Sequence, residues 1–209
     1  MYKIGNFGKS ILTLGIGTSA AQALSLFFYP ILGRLYSPKE FGLLATITVI
    51  SSIIVVIATG RYEQAILIAK TKKEAANILG LSILFSIFVC LIFTIIFICT
   101  ASPLADWLNA PDLNYWIIVV PIISFFIVVY NCYNEWCVKH SLFSQLSVNK
   151  VLNSLSINLS KVFCGICGML NGLVLGEMIG RGLSATLCAG SILRIDLREI
   201  AGHISRNEL

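Results

Sequence analysis

ANILGLSILFSIFVCLIFTIIFICT, Ala76–Thr100, is 25 residues long and holds no charged side chain. Coiled as an α-helix at about 1.5 Å per residue it reaches about 37 Å, enough to cross roughly 30 Å of hydrocarbon. A surface helix of a soluble domain carries charged residues at the 3.6-residue period on one face, and this stretch has none to place there. Lipid is therefore its solvent, and with no water to bond the backbone, a helix is the conformation that satisfies every N–H and C=O within the segment.

Five more apolar blocks lie on either side: Ile11–Gly33, Phe41–Thr59, Tyr115–Tyr133, Val148–Leu170 and Leu173–Leu193. Across all 209 residues, 57% are hydrophobic and only 12% charged, with a mean hydropathy of +0.88. Soluble domains carry about 25% charged residues, so a water-facing surface cannot be built from this composition. The expected fold is all-α: a polytopic membrane protein of about six transmembrane helices, with residues 1–193 as one membrane domain and residues 194–209 as an amphipathic cytoplasmic tail. The first block follows Lys3 and Lys9 as the core of a signal peptide would, but it runs for 23 residues into further spans and is expected to stay as an anchor.

The connections supply the orientation. The amino terminus, Arg61 to Asn77, Asn134 to Lys150 and Arg194 to Leu209 hold about eleven Lys and Arg, and the other three connections about two. By the positive-inside rule the first group is cytoplasmic, and an even number of spans returns both termini to that side. Ser37-Pro38 has the residue types that open a helix, by side-chain capping and a pre-set φ. Arg61 to Asn77 surrounds an apolar centre, Ala65 to Ala69, and is expected to form an interfacial helical extension. Ala101 to Asn114, with Trp107 before Tyr115 and Trp116, is expected to be a loop at the aromatic belt. The net charge of +5 is spread over these connections rather than gathered in one patch, which argues against a nucleic-acid partner.

The chemically informative residues are the charges inside the spans, where an ionisable group costs from about 3 kcal/mol upward. Lys161 falls near the middle of the fifth block; Glu177 and Arg181 lie one turn apart in the sixth, in the favourable order with Glu first. Two arrangements satisfy them. In one, Glu177 and Arg181 neutralise each other while Lys161 snorkels toward a headgroup. In the other, all three line a polar cavity whose two cations and one carboxylate suit an anionic substrate such as a phosphate or pyrophosphate headgroup. The fifth block is otherwise polar for a lipid-facing helix (Asn149, Asn153, Ser154, Ser156, Asn158, Ser160), and the first adds Thr13, Thr18, Ser19, Gln22 and Ser25. Gly172, Gly176 and Gly180 make a four-residue ridge suited to helix packing.

Other motifs carry little. Cys164-Gly-Ile-Cys167 sits within a span without a second ligand pair, so neither metal nor cofactor is expected. Gly8-Lys9-Ser10 lacks the leading glycine of a phosphate-binding loop, and no hydrolase or zinc-peptidase motif is present. An enzyme is not expected.

Leu12 to Ser25, Pro30-Ile-Leu-Gly-Arg-Leu-Tyr-Ser-Pro-Lys-Glu-Phe-Gly42, Ala58-Thr-Gly-Arg-Tyr-Glu-Gln-Ala-Ile66, Asn131 to Phe143 and Gly172-Leu-Val-Leu-Gly176 resemble the polysaccharide biosynthesis proteins of the flippase (MOP exporter) superfamily, the Wzx-type O-antigen and capsule flippases. The resemblance implies transport of an oligosaccharide linked to undecaprenyl pyrophosphate across the bacterial inner membrane, by two six-helix lobes rocking around a cationic cavity. This chain is similar to the amino-terminal lobe. The resemblance therefore also implies a second half or self-association as partner, beside membrane lipid and the lipid-linked oligosaccharide. Arg34 and Arg61-Tyr62-Glu63 fall on the family's marked positions, with a structural or gating role expected. A non-transporting assembly or scaffold subunit is the alternative, with the glycine ridge as its interaction face.

Overall fold

A computed structural model describes residues 4–107 and 112–206; the outer ends of the chain fall outside this range. Among the described residues the secondary structure is helical throughout. Six long helices are α1 (Ile4–Leu35), α2 (Pro38–Thr59), α4 (Lys72–Trp107), α6 (Val119–Lys139), α7 (Phe143–Ile166) and α8 (Gly172–Arg206). Two four-residue helices, α3 (Ala65–Ile68) and α5 (Leu113–Trp116), sit in the connections. The protein is an all-α polytopic membrane protein. Four helices, α1, α2, α4 and α6, are each long and apolar enough to cross a membrane. α7 and α8 match their length and run beside them, but carry the polar and charged residues described below.

The helix ends follow from local chemistry. Ser37 Oγ accepts from the Glu40 N–H at 3.4 Å while Glu40 Oε2 accepts from the Ser37 N–H at 2.9 Å, a reciprocal capping box with Pro38 in the first turn. Arg34 closes α1 as the basic residue of its last turn, where the exposed carbonyls favour a cation. α2 ends at Gly60, whose φ of 52° lies in the left-handed region and whose N–H bonds Val56 O at 2.9 Å.

Five stretches differ from the sequence expectation. Residues 101–107 continue α4 instead of forming a loop, with Pro103 inside the helix. Asn134 to Lys150 is almost wholly helical: α6 runs to Lys139 and α7 begins at Phe143, so only a three-residue turn with Ser141 at φ 58° remains. The fifth block ends at Ile166, not Leu170. The stretch from Arg61 to Asn77 is not one helical extension: a single 3-10 turn (Tyr62–Gln64) leads into α3, and α4 starts at Lys72. Polar residues near helix ends made these segments look like loops, although a helix projecting beyond the hydrocarbon tolerates them. The backbone of α8 runs without a break past Leu193 to Arg206, through most of the segment expected to be a tail; the side chains of that segment lie outside the described residues.

The bundle has two halves of different character. α2, α4 and α6 share the main apolar core, built on Ile47, Ile54, Val120, Ile123 and Val128. α7 packs most extensively on α8 and on α1, while α8 also contacts α6 and so joins the halves. Contacts between connections confirm that the long helices alternate in direction. Tyr36 reaches Lys161 near the end of α7, and Lys39 pairs with Asp112 at 2.7 Å, all at one end of the bundle. At the other end Lys139 donates to Leu67 O and Ala69 O in the α2–α4 connection, and Ser147 donates to Thr13 O.

Candidate functional site

Side chains of α1 and α7 meet in a ladder of hydrogen bonds. Ser147 Oγ donates to Thr13 O at 2.8 Å, Lys150 Nζ to Thr18 Oγ1 at 3.0 Å, Ser154 Oγ to Ala21 O at 2.9 Å, and Asn158 Nδ2 to Ser25 Oγ at 3.3 Å. The residue numbers rise together on both helices, so α1 and α7 run parallel. Steps of three to four residues on α7 and three to five on α1 put one polar stripe against the other. This accounts for the polarity of both segments: their hydroxyls and amides bond one another instead of facing lipid, where an unsatisfied polar group is costly. At the Thr13 end the helices approach so closely that a Cβ on Gly17 would overlap Ser147.

α8 closes on the next face of α7 in the opposite direction, and the glycine ridge makes this approach possible. A Cβ on Gly176 would lie 2.5 Å from Lys161 Cα, and one on Gly180 would overlap Ile157 Cα. Gly172 faces Cys164 and the Tyr36 hydroxyl, which would be 2.6 Å from an added Cβ. Because Gly176 lies against the Lys161 backbone, the neighbouring Glu177 is delivered to the Lys161 side chain. Lys161 Nζ binds Glu177 Oε2 at 2.6 Å, and Arg181 Nε binds Glu177 Oε1 at 2.5 Å. Glu177 is 5% exposed and carries both cations on one carboxylate. Lys161 therefore does not snorkel, and it is not central: it stands five residues before the end of α7, about 8 Å along the axis. The end of the span is closer than the block boundaries suggested, yet the ammonium turns inward to the carboxylate.

Tyr36 holds this corner. Its hydroxyl donates to Lys161 O at 2.6 Å across the α1–α2 turn, and burial pushes the phenol up to about 12, so it stays a neutral donor. Glu177, Lys161 and Arg181 open onto a cleft of about 720 Å³ whose floor is the α1–α7 ladder. Lys150, Asn153, Tyr130 and Gln22 also line it, and it is an open cleft rather than a closed cavity. Three cations stand in it against one carboxylate. Lys150 and Lys161 are eleven residues apart on one helix face, so cationic groups are spread over about 16 Å of its length.

The structure thus brings Lys161, Glu177 and Arg181 together, with Gly172, Gly176 and Gly180 directly behind them. It does not bring Arg34, Arg61, Tyr62 or Glu63 to this cleft. Arg34 is exposed at the end of α1. Arg61, at φ 60°, and Tyr62 are exposed in the connection at the opposite end of the bundle. Glu63 is buried there at 8% exposure, and its Oε2 has no hydrogen-bond partner among the described residues. Lys150, where the 134–150 connection and the Val148–Leu170 block overlap, lines the cleft. The signal for it was periodicity, since Lys150, Ser154, Asn158 and Lys161 recur at helical spacing. Among the described residues, no three His, Cys, Asp or Glu side chains converge as metal ligands.

A family model described as polysaccharide biosynthesis protein matches residues 31–198, from the last turns of α1 well into α8. Neither a curated protein nor a solved structure matches the chain. The match includes Tyr36, the α7–α8 pair and the whole ion cluster, and on this ground the chain belongs to the polysaccharide biosynthesis protein family.

Proposed function

We propose that the protein moves a lipid-linked oligosaccharide, carried on undecaprenyl pyrophosphate, across the bacterial inner membrane. In this reading it is a transporter and not an enzyme: the cleft binds and translocates the headgroup without breaking a bond. The observation that carries the reading is the cleft itself, where Lys150, Lys161 and Arg181 face a single carboxylate. A surplus of cations in a low-dielectric setting attracts a phosphate or pyrophosphate. The hydroxyls and amides of the α1–α7 ladder offer hydrogen bonds along the same surface, as a glycan requires. An open cleft also needs a second wall, and a further six-helix unit, either a second copy or a partner half, would supply it. Both termini are cytoplasmic on this reading, following the Lys and Arg distribution.

The test is complementation of a bacterium lacking its O-antigen flippase, with the chain expressed alone and with a separately encoded second lobe. Restored surface polysaccharide is expected, and it is lost in Lys161→Ala and in Arg181→Ala at normal membrane levels. Unchanged transport in both variants would refute the proposal.

A second reading, a membrane scaffold without transport, is favoured by one observation: Glu177 already engages Lys161 and Arg181 internally. A scaffold tolerates replacement of the whole cluster by methionine, Lys161→Met, Glu177→Met and Arg181→Met together, which leaves no unpaired charge; a transporter does not.

A further inference from the structure

Lys161 commits its ammonium to Glu177 Oε2, and Arg181 commits Nε to Oε1, so these two of the three cleft cations share one carboxylate before any ligand arrives. Arg181 keeps the outer nitrogens of its guanidinium, and its side chain, at 22% exposure, is the most open of the three. A phosphate group entering the cleft meets those nitrogens first, and to reach Lys161 it must take the place of the carboxylate. A dianion and an ionised carboxylate competing for the same two cations repel strongly where the dielectric is low. The carboxylate is relieved of that repulsion by taking a proton.

We propose that Glu177 is a resident counter-ion that a phosphate-bearing headgroup displaces, and that Glu177 takes up one proton from the aqueous side of the open cleft as the anion binds. The inference rests on the transport reading and deepens it: anion binding and proton binding become linked at one residue. Of the charged and titratable groups that share the cleft with Glu177, α7 contributes Lys161 and, about 16 Å along the same face, Lys150, and α8 contributes Arg181. Tyr130 of α6, Tyr29 of α1 and Tyr36 of the α1–α2 turn complete the set, while α2 presents apolar side chains to this cleft. Linkage is reciprocal, so a falling pH tightens anion binding and release of the proton loosens it. When the anion leaves, Glu177 returns to Lys161 and Arg181, so neither of these two is left without a counter-ion.

The test is calorimetry on the full-length protein in lipid nanodiscs, titrated with inorganic pyrophosphate at pH 7 in two buffers of different ionisation heat. The wild type is expected to take up about one proton more per anion than Glu177→Gln, and the variant to bind about tenfold more tightly because no charged competitor has to be displaced. Sulfate carries no titratable proton near neutral pH, so it repeats the proton count on the wild type alone should the variant fail to fold. Equal proton counts in wild type and variant, or sulfate binding without proton uptake, overturn the inference while leaving the anion site in place. Absence of pyrophosphate binding to the wild type overturns the transport reading as well.

Discussion

Replacing Gly176 by alanine tests the geometry on which the ion cluster depends. The new Cβ would sit 2.5 Å from Lys161 Cα and 2.6 Å from Lys161 N, both backbone atoms that cannot rotate away. Carbon atoms in contact prefer about 3.5–4.0 Å, so α7 must retreat from α8 by about 1 Å. Overpacking of this kind costs about 1–3 kcal/mol, and a backbone obstacle places Gly176→Ala in the upper half of that range. In a soluble helix, alanine would recover up to about 1 kcal/mol in helix propensity. Within a membrane the separated helices are already formed, so that offset largely cancels. The same retreat lengthens the 2.6 Å Lys161–Glu177 bond, so the defect reaches the site as well as the fold. Gly80→Ala is the control: it lies inside α4 with no atom within 4 Å of the added Cβ, and it should change stability by less than about 0.5 kcal/mol. Reversible unfolding in bicelles measures both. The expected gap between the variants is about 2 kcal/mol; a gap under about 0.5 kcal/mol would mean that α7 and α8 do not meet at this crossing.

Tyr36→Phe removes the hydroxyl that donates to Lys161 O and should destabilise by about 1–2 kcal/mol. The wild type carries a pH signature at the same place. With the folded phenol pushed up to about 12, above its ordinary value near 10, stability is full below about pH 10 and falls as pH rises toward 12. Alkaline unfolding should show that decline in the wild type, while the share owed to Tyr36 disappears in Tyr36→Phe. Ser37→Ala breaks the capping box of α2 and should cost about 1 kcal/mol in the same unfolding assay, with the cleft untouched. Lys150→Gln keeps a hydrogen-bond donor for Thr18 but removes the charge, so unfolding should change little while pyrophosphate binding weakens about tenfold. Equal binding in Lys150→Gln and wild type would confine the anion site to the Lys161 end.

The membrane class and the order of the long helices were legible in residue chemistry because runs such as Ala76–Thr100 admit no other solvent. The start of α2 was legible in Ser37-Pro38, whose capping chemistry acts within four residues. Lys139 and the α2–α4 connection stand at the opposite end of the bundle from Tyr36 and Lys39, as an alternating order of helices requires. Helix ends were the weak point. Polar residues in 134–150 marked a connection by composition, yet most of that segment is helix, because in α7 the polar side chains bond α1.

The candidate site was visible as three residues but not as a site. Charge and spacing alone paired Glu177 with Arg181, an i,i+4 relation internal to one helix. Whether Lys161 joined them depended on the depth of α7, its rotation and its distance from α8, none of which is encoded locally. The glycine ridge brought the backbones together, Tyr36 held the corner, and the carboxylate then lay within reach of both cations. Arg61-Tyr62-Glu63 shows the converse: a distinctive motif placed by the fold at the far end of the bundle, away from the cleft. Solvent preference and capping act over one segment, so the sequence by itself determined a lipid-embedded helical chain and much of its topology. Which polar groups face one another depends on interhelical contacts between residues far apart in the chain, and only the tertiary structure decided that.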